Sequence, residues 1–305
     1  MELNENADLD ASQVNDLGRG SGGGRGGLGG LPIPLPSGPV GLIITVVLLL
    51  LGGGGYGLSQ MDGDEPDPGA NTALATRCAE PDKLADLRCR NLAYVVSIQD
   101  WWRDALPASF DRVYEPATTN YFQQSVRTAC GAADSGVGPF YCPADRKVYL
   151  DLSFYRVLAE QLGAPGEFAQ PYVLAHEYGH HVQTLLGTES DVRRRQQRDP
   201  GNANELSVRM ELQADCYAGA WAKNAIGTDT KSGVKIFKSL TEQDIQQGLE
   251  TASAIGDDAI QGRGGGRVDP HSFTHGTSAQ RQKWFRTGYD SGDPRQCDTF
   301  TATAL

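Results

Sequence analysis

The chain has 305 residues, 39% of them hydrophobic and 21% charged, which suits a globular protein of one or two domains. Its formal net charge of −11 argues against a nucleic-acid-binding protein, because contacts to phosphates require a basic surface. We therefore expect no nucleic-acid partner, and function has to be sought in local motifs.

Two distinctive segments begin the chain. Residues 1–30 combine acidic residues with a glycine tract and cannot bury enough apolar surface to fold, so we expect a disordered cytoplasmic tail. Residues 38–58 are uncharged and strongly apolar, and their length matches the roughly 20 residues of a membrane-spanning helix. They predict one transmembrane helix, with a buried core helix and a cleaved signal peptide as alternatives.

The charges around this span predict its orientation. Arg19 and Arg25 precede it and acidic residues follow it, so the positive-inside rule keeps the N-terminus in the cytoplasm. All six cysteines lie beyond the span, on the side where disulfides persist. We therefore expect a single-pass cell-membrane protein with an extracytoplasmic domain. Spacing favours two cysteine pairs and leaves a third: Cys78–Cys89, Cys130–Cys142 and Cys216–Cys297.

The part after the span divides into a linker and one domain. Residues 61–77 are acidic and rich in proline and glycine, as linkers are, whereas residues 78–305 have a uniform composition. The domain opens with a predicted helix over residues 83–106, which Pro107 ends.

Extended segments are expected next, around residues 112–114 and 138–152. Within the second, "KVYLDL" alternates in the manner of a half-buried strand. It is the candidate sheet edge that would hold an extended substrate by backbone hydrogen bonds.

Two long helices follow. Pro171 suits the first turn of one and Gly187 suits its end, while Asn204 is a plausible N-cap of the other, which runs to about Ile226. Residues 188–203 between them predict a loop.

The C-terminal part contains two further helices. One opens at Thr241, and the last has a capping box of Thr277 with Gln280 and closes at Gly288. A glycine-rich loop containing His271 separates them.

The first long helix carries the pattern H-E-x-x-H. His176 and His180 are four residues apart, so they project from one face, where two imidazole nitrogens can bind one Zn²⁺. Glu177 lies between them, near the metal but not directed at it, which suits a base that takes a proton from zinc-activated water. A polar helix face with hydrogen-bonded histidines is the alternative.

Two further features favour the zinc site. Gly179 costs about 1 kcal/mol relative to alanine within a helix, which makes sense if another backbone packs closely there. Glu211 and Asp215 share one face of the next long helix, which is otherwise apolar around them, so unpaired carboxylates there would be costly. The earlier of the two is the third ligand in a gluzincin His₂Glu site, and the later would hold a ligand histidine from behind.

Three stretches resemble the putative neutral zinc metallopeptidase family of bacterial membrane-anchored proteins: "LAHEYGHHVQTLLG", "ELQADCYAGAWA" and "SFTHGTSAQRQKWFRTGYDSGDPRQCDTF". The resemblance covers nearly everything from the predicted span to the C-terminus. It implies a zincin-like catalytic domain with His176, His180 and Glu211 on Zn²⁺ and Glu177 as base. The expected fold is α+β, mainly helical with a small β-sheet, preceded by the transmembrane helix.

The remaining histidines have different expectations. His275 lies just before the last helix, where the helix dipole favours a neutral imidazole, and it is a candidate catalytic group for the oxyanion. Tyr149 and Tyr178 are alternatives for that role. His181 points away from His180 on the helix, which predicts a buried, hydrogen-bonded structural role. His271 is expected in a loop.

The combined pattern predicts a gluzincin-like metalloendopeptidase that hydrolyses peptide bonds in a protein or peptide substrate. The alternative is a catalytically inactive, membrane-tethered scaffold with a structural zinc site. A structural site is closed by a fourth protein ligand, whereas a catalytic site keeps one position open for water. Asp215 and His181 are the nearby candidates for such a fourth ligand.

Overall fold

A computed structural model describes residues 1–19 and 64–305. The helices in these residues are α1 (Pro68–Arg77), α2 (Leu87–Phe110), α3 (Phe154–Glu160), α4 (Ala169–Leu186), α5 (Thr188–Arg198), α6 (Ala203–Asn224), α7 (Glu242–Ala254), α8 (Asp257–Gly262) and α9 (Ser278–Ser291). The strands are β1 (Glu2–Leu3), β2 (Val14–Arg19), β3 (Thr118–Gln123), β4 (Ser125–Thr128), β5 (Gly131–Asp134), β6 (Phe140–Cys142), β7 (Lys147–Leu150) and β8 (Phe237–Ser239). The predicted α+β class with a predominance of helix is confirmed.

The main sheet has four strands in the order β2-β3-β7-β6. The first three are parallel, and β6 is antiparallel to β7. The prediction that "KVYLDL" forms a sheet edge is therefore wrong, because β7 is hydrogen-bonded to β3 on one side and to β6 on the other. The end strand on this side of the sheet is β6, whose three residues are all buried.

The first 19 residues, expected to be disordered, are part of the fold. Strand β2 lies parallel to β3, with Val14 buried, and Asp16 accepts a hydrogen bond from the guanidinium of Arg88 at 2.8 Å. Strand β1 pairs with β8. The sequence prediction failed because it considered this segment alone, whereas a preformed sheet supplies both the apolar surface and the backbone partners that the segment lacks.

Within residues 1–19 and 64–305, none of the helices combines the length and the apolar character needed to cross a membrane. This finding corrects the prediction of an N-terminal transmembrane helix, a membrane partner and a single-pass cell-membrane localisation. The predicted span, residues 38–58, lies outside the described residues. The predicted topology also conflicts with the pairing of β2 and β3, because one span between these strands would place them on opposite sides of the membrane.

Several predicted boundaries also change. Pro107, expected to end the first domain helix, lies inside α2, which continues to Phe110. Asn204, expected as the N-cap of the second long helix, lies inside α6, which begins at Ala203.

Helix α1 begins within the expected linker, where the Asp67 side chain accepts hydrogen bonds from the first helical turn. The expected loop over residues 188–203 is mostly α5. Acidic residues in its first turn and basic residues in its last turn stabilise this helix by interacting favourably with the helix dipole. Helix α9 has the predicted capping box but continues past Gly288 to Ser291.

Glycines allow three helices to approach one another closely. A Cβ placed at Gly179 of α4 would lie 3.0 Å from the Cα of Ala214 on α6, which confirms the close backbone contact expected there. On the other side of α6, a Cβ at Gly288 of α9 would collide with the carbonyl oxygen of Cys216. Helix α6 is thus held between α4 and α9, and Gly288 serves helix packing rather than helix termination.

The three expected disulfides are all present: Cys78–Cys89, Cys130–Cys142 and Cys216–Cys297. The third joins the middle of α6 to the C-terminal segment, 81 residues later in the chain. It therefore fixes the chain end against the helix that carries Glu211 and Asp215.

The contact between α6 and α9 gives a first prediction. Substituting Gly288→Ala should destabilise the fold by about 1–3 kcal/mol, because the added methyl group has to displace a neighbouring backbone carbonyl. Thermal unfolding followed by circular dichroism measures the loss. The control Gly201→Ala, at an exposed site whose nearest neighbour would be 3.5 Å away, should change stability by no more than about 0.5 kcal/mol. Equal melting temperatures for both variants would contradict this account of the helix contact.

Candidate metal centre and active site

Helices α4 and α6 bring three buried side chains together. The ligand-type atoms of His176, His180 and Glu211 all lie within 4.8 Å of one another. The Nε2 atoms of His176 and His180 lie 3.1 Å and 3.5 Å from the carboxylate oxygens of Glu211. Two imidazoles and one carboxylate at this spacing are a donor set that zinc accepts. The structure therefore assembles the predicted ligand trio from two helices, and this trio could hold a metal.

Asp215 lies behind His176, on the side away from Glu211. Its Oδ1 atom is 2.8 Å from Nδ1 of His176 and accepts a hydrogen bond from the Tyr172 hydroxyl at 2.6 Å. Arg281 of α9 donates two hydrogen bonds to the same carboxylate, at 2.7 and 2.9 Å. All of these groups are buried. Asp215 thus faces the far nitrogen of a candidate ligand, as predicted, and is not itself directed at the trio.

The buried charges around His176 set its protonation. Burial by itself would raise the pKa of Asp215, but Arg281 and His176 together outweigh it and lower the pKa to about 2. Burial likewise opposes the charged form of His176, yet the Asp215 and Glu211 carboxylates raise its pKa to about 10. A metal therefore has to displace a proton from Nε2 of His176 when it binds.

Glu177 is buried beside this centre but is not one of the converging ligand groups. Its burial raises its pKa to about 8, against the opposing effect of the His176 charge. It faces a cleft whose wall residues are Val137, Gly138, Pro139, Phe154, Tyr172, Val173, His176, Glu177, His180, Glu211, Ile255, His275 and Arg281. Residues 137–139 of this wall directly precede β6, so the end strand of the main sheet begins beside the cleft.

His275 reaches the same cleft from the loop before α9. Its Nδ1 atom lies 3.2 Å from Oδ1 of Asp257, while Oδ2 of Asp257 accepts three backbone N–H groups, those of residues 274–276. Burial opposes ionisation of Asp257, but its contacts with His275 and the backbone N–H of Thr274 together outweigh burial and lower its pKa. The ring of His275 therefore has a buried carboxylate as its neighbour, in addition to the N-terminus of α9.

The two tyrosines named as alternatives to His275 lie elsewhere. The Tyr149 hydroxyl donates a hydrogen bond to Asp145 at 2.7 Å, and the Tyr178 hydroxyl is 2.9 Å from Thr119 Oγ1. Neither lines the cleft. Only His275 of the three candidates is placed to contact a molecule bound there.

A family model described as "Putative neutral zinc metallopeptidase" matches residues 6–300. The chain belongs to this family. It is 42% identical over 292 residues to the uncharacterized protein YpfJ of Escherichia coli K12, covering 95% of this chain and 96% of the relative. It is 45% identical over 253 residues to the uncharacterized protein Rv2575 of Mycobacterium tuberculosis H37Rv, covering 81% and 83%. No solved structure matches the chain.

Family membership confirms the resemblance seen in the sequence. It supports, at this coarse level, a zinc-dependent peptidase that acts on proteins or peptides. The buried trio of this metallopeptidase fits the implied metal in donor type and spacing.

The other two histidines lie outside the converging trio. His181 is fully buried, with Nε2 donating to the Glu115 carbonyl at 2.7 Å and Nδ1 accepting from the Tyr141 hydroxyl at 3.1 Å. The predicted structural role is confirmed. His271 is exposed in the loop, also as expected.

Sequence reasoning missed four residues of the centre. Tyr172 and Arg281 hold Asp215, Asp257 holds His275, and Gln183 lies 2.9 Å from Nδ1 of His180. Tyr172 and Gln183 were detectable in principle, because each lies one helical turn from a ligand histidine. Arg281 and Asp257 are distant in sequence from the groups they contact and carry no local signal.

The ligand trio predicts a selective loss of metal. Substituting Glu211→Gln removes the only carboxylate of the trio at nearly constant volume, so bound zinc should fall well below the value of about one per chain expected for the wild type. Elemental analysis after dialysis against a weak chelator measures the ratio. The matched control is Glu205→Gln. Glu205 is an exposed glutamate in the first turn of α6, so this variant should retain its zinc. A full metal complement in Glu211→Gln would exclude Glu211 as a ligand.

Burial of His181 predicts a pH-dependent contribution to stability. Desolvation lowers its pKa to about 4 in the folded chain, below an unfolded value of 6.5. Because the unfolded chain binds the proton more tightly, stability should fall as the pH drops from 6.5 toward 4, by up to about 3 kcal/mol from this residue. Urea unfolding of the wild type and of His181→Gln over this range measures it. The variant should show the shallower pH dependence, and parallel curves would refute the assignment.

Proposed function

We propose that this protein is a gluzincin-like metalloendopeptidase that hydrolyses peptide bonds without a covalent intermediate. The observation that carries the proposal is the buried His176–His180–Glu211 trio with Glu177 beside it, open to a cleft. Membership of the zinc metallopeptidase family supports the same reaction class.

Each residue of the centre has a distinct role in this proposal. A zinc ion held by His176, His180 and Glu211 would polarise the scissile carbonyl and lower the pKa of the attacking water. Glu177 takes the proton of that water at its carboxylate and passes it to the departing amine. Burial raises the pKa of Glu177, which strengthens its tendency to accept the proton of the attacking water.

His275 is the proposed group for the developing oxyanion. Asp257 occupies its Nδ1 atom, which leaves Nε2 as the ring atom available to a substrate. A proton on Nε2 would let the ring donate a hydrogen bond to the oxyanion. The three backbone hydrogen bonds to Asp257 keep this pair in place.

Strand β6 replaces "KVYLDL" as the proposed edge for an extended substrate. It is the end strand of the main sheet, and residues 137–139 just before it line the cleft. An extended peptide beside this edge would gain backbone hydrogen bonds while its scissile bond lies over the zinc ligands.

The scaffold alternative requires a fourth protein ligand, and both candidates are engaged elsewhere. Asp215 binds Arg281, Tyr172 and the far nitrogen of His176, while His181 binds Glu115 and Tyr141. Among the described residues, only three side chains converge on the centre. An open position beside a base favours catalysis over a structural metal site.

The decisive test is Glu177→Gln. The purified variant should hydrolyse none of the peptides that the zinc-loaded wild type cleaves, because the base is lost, yet it should keep its zinc because Glu177 is not a ligand. Mass spectrometry of a peptide mixture measures cleavage, and elemental analysis measures zinc. The control Glu160→Gln changes an exposed glutamate of α3 and should cleave like the wild type. A wild type that binds zinc but cleaves no peptide would favour the scaffold, and an active Glu177→Gln would refute the assigned base.

A further inference from the structure

A chain of side-chain amides leads from His180 into the interior. Gln183 is fully buried, with Oε1 2.9 Å from Nδ1 of His180. Its Nε2 atom donates to the Met210 carbonyl at 2.7 Å and to Oε1 of Gln213 at 3.1 Å. Gln213 in turn donates from Nε2 to the carbonyl of Cys297 at 3.0 Å. This series of hydrogen bonds therefore connects His180 to the C-terminal segment that the Cys216–Cys297 disulfide fixes to α6.

The direction of this chain is determined by backbone carbonyls. The carbonyls of Met210 and Cys297 can only accept hydrogen bonds, so the nitrogen end of each glutamine has to face them. The oxygen end of Gln183 is then the end that faces His180. A carbonyl oxygen cannot donate, so Nδ1 of His180 has to carry the proton. The lone pair of a neutral His180 is consequently on Nε2, the atom nearest Glu211.

We propose that Gln183 is the positioning residue of His180, a role that rests on the zinc site of the proposed function. Gln183 selects the Nδ1–H tautomer and holds the ring so that Nε2 faces the metal position. Gln213 and the disulfide-linked carbonyl of Cys297 keep the Gln183 amide from turning over. The two ligand histidines are thus supported by different chemistry, a carboxylate paired with Arg281 behind His176 and a neutral amide chain behind His180.

Loss of the Gln183 amide has a specific consequence. With Gln183→Met, an unbranched apolar side chain of similar size, Nδ1 of His180 loses its acceptor. The ring then becomes free to carry its proton on Nε2 and to donate it to the Glu211 carboxylate, 3.5 Å away. Zinc would have to displace that proton and reorient the ring, so its affinity should fall about 10- to 100-fold, as for other partners of ligand histidines.

The test combines zinc affinity with the tautomer of His180. Competition with a chromophoric chelator measures affinity for full-length wild type, Gln183→Met and the matched control Gln196→Met. Gln196 also donates to a backbone and a side-chain oxygen of α6, those of Ala203 and Ser207, but away from the centre. Imidazole ¹⁵N NMR of the metal-free proteins at alkaline pH identifies the tautomer. We expect Nδ1–H in wild type and in Gln196→Met, and Nε2–H to appear in Gln183→Met together with the affinity loss.

The outcomes separate this proposal from the proposed function. Wild-type His180 with its proton on Nε2 would overturn the positioning role even if Gln183→Met failed to fold. Affinity within twofold of wild type in a folded Gln183→Met would overturn it as well. A Gln183→Met variant with the expected losses, in a protein that cleaves no peptide, would retain the positioning role and refute the peptidase.

Discussion

The buried carboxylate of Asp215 is the interaction on which the centre depends. It receives hydrogen bonds from Arg281 of α9 and from Tyr172 of α4, and it lies against the far nitrogen of His176. Removing one partner of a buried ion pair costs about 3–5 kcal/mol, because the other charge is left unpaired. Helices α4, α6 and α9 therefore cannot separate without exposing or isolating a charge. The same carboxylate that orients a candidate zinc ligand also determines how these helices pack.

Close packing of three helices surrounds this carboxylate. Asp215 has only one methylene group and stays near the α6 backbone, where the longer Tyr172 and Arg281 side chains reach it from α4 and α9. Gly179 permits close packing between α4 and α6, and Gly219 and Gly288 permit it between α6 and α9. The disulfide from Cys216 adds a covalent constraint on the same segment of α6. The glycines allow the three helices to pack closely, and the hydrogen bonds of Asp215 determine which side chains of α4 and α9 face α6.

Much of the candidate site could be predicted because it lies within single helices. His176 and His180 share a face through helix geometry alone, and so do Glu211 and Asp215, whichever fold surrounds them. The place of Asp215 behind a ligand histidine also followed from the sequence pattern, and the structure identifies that histidine as His176. His275 was recognised as a candidate, but its partner Asp257 was missed because it is 18 residues away. Local spacing contains no information about such a contact.

The sequence by itself determined the helix that carries His176 and His180 and the two close disulfide pairs, because these depend on short-range geometry. The third disulfide followed as the pair left over, and Glu211 followed from the carboxylates that share one face of the next long helix. The tertiary structure alone decided the place of residues 1–19, the strand order and the partners supplied by Arg281 and Gln183. Strand β2 looks unable to fold in isolation, yet it pairs with β3, about 100 residues later, because an existing sheet edge satisfies its backbone. Pairings of this kind depend on which surfaces the packed chain presents, and no local pattern encodes them.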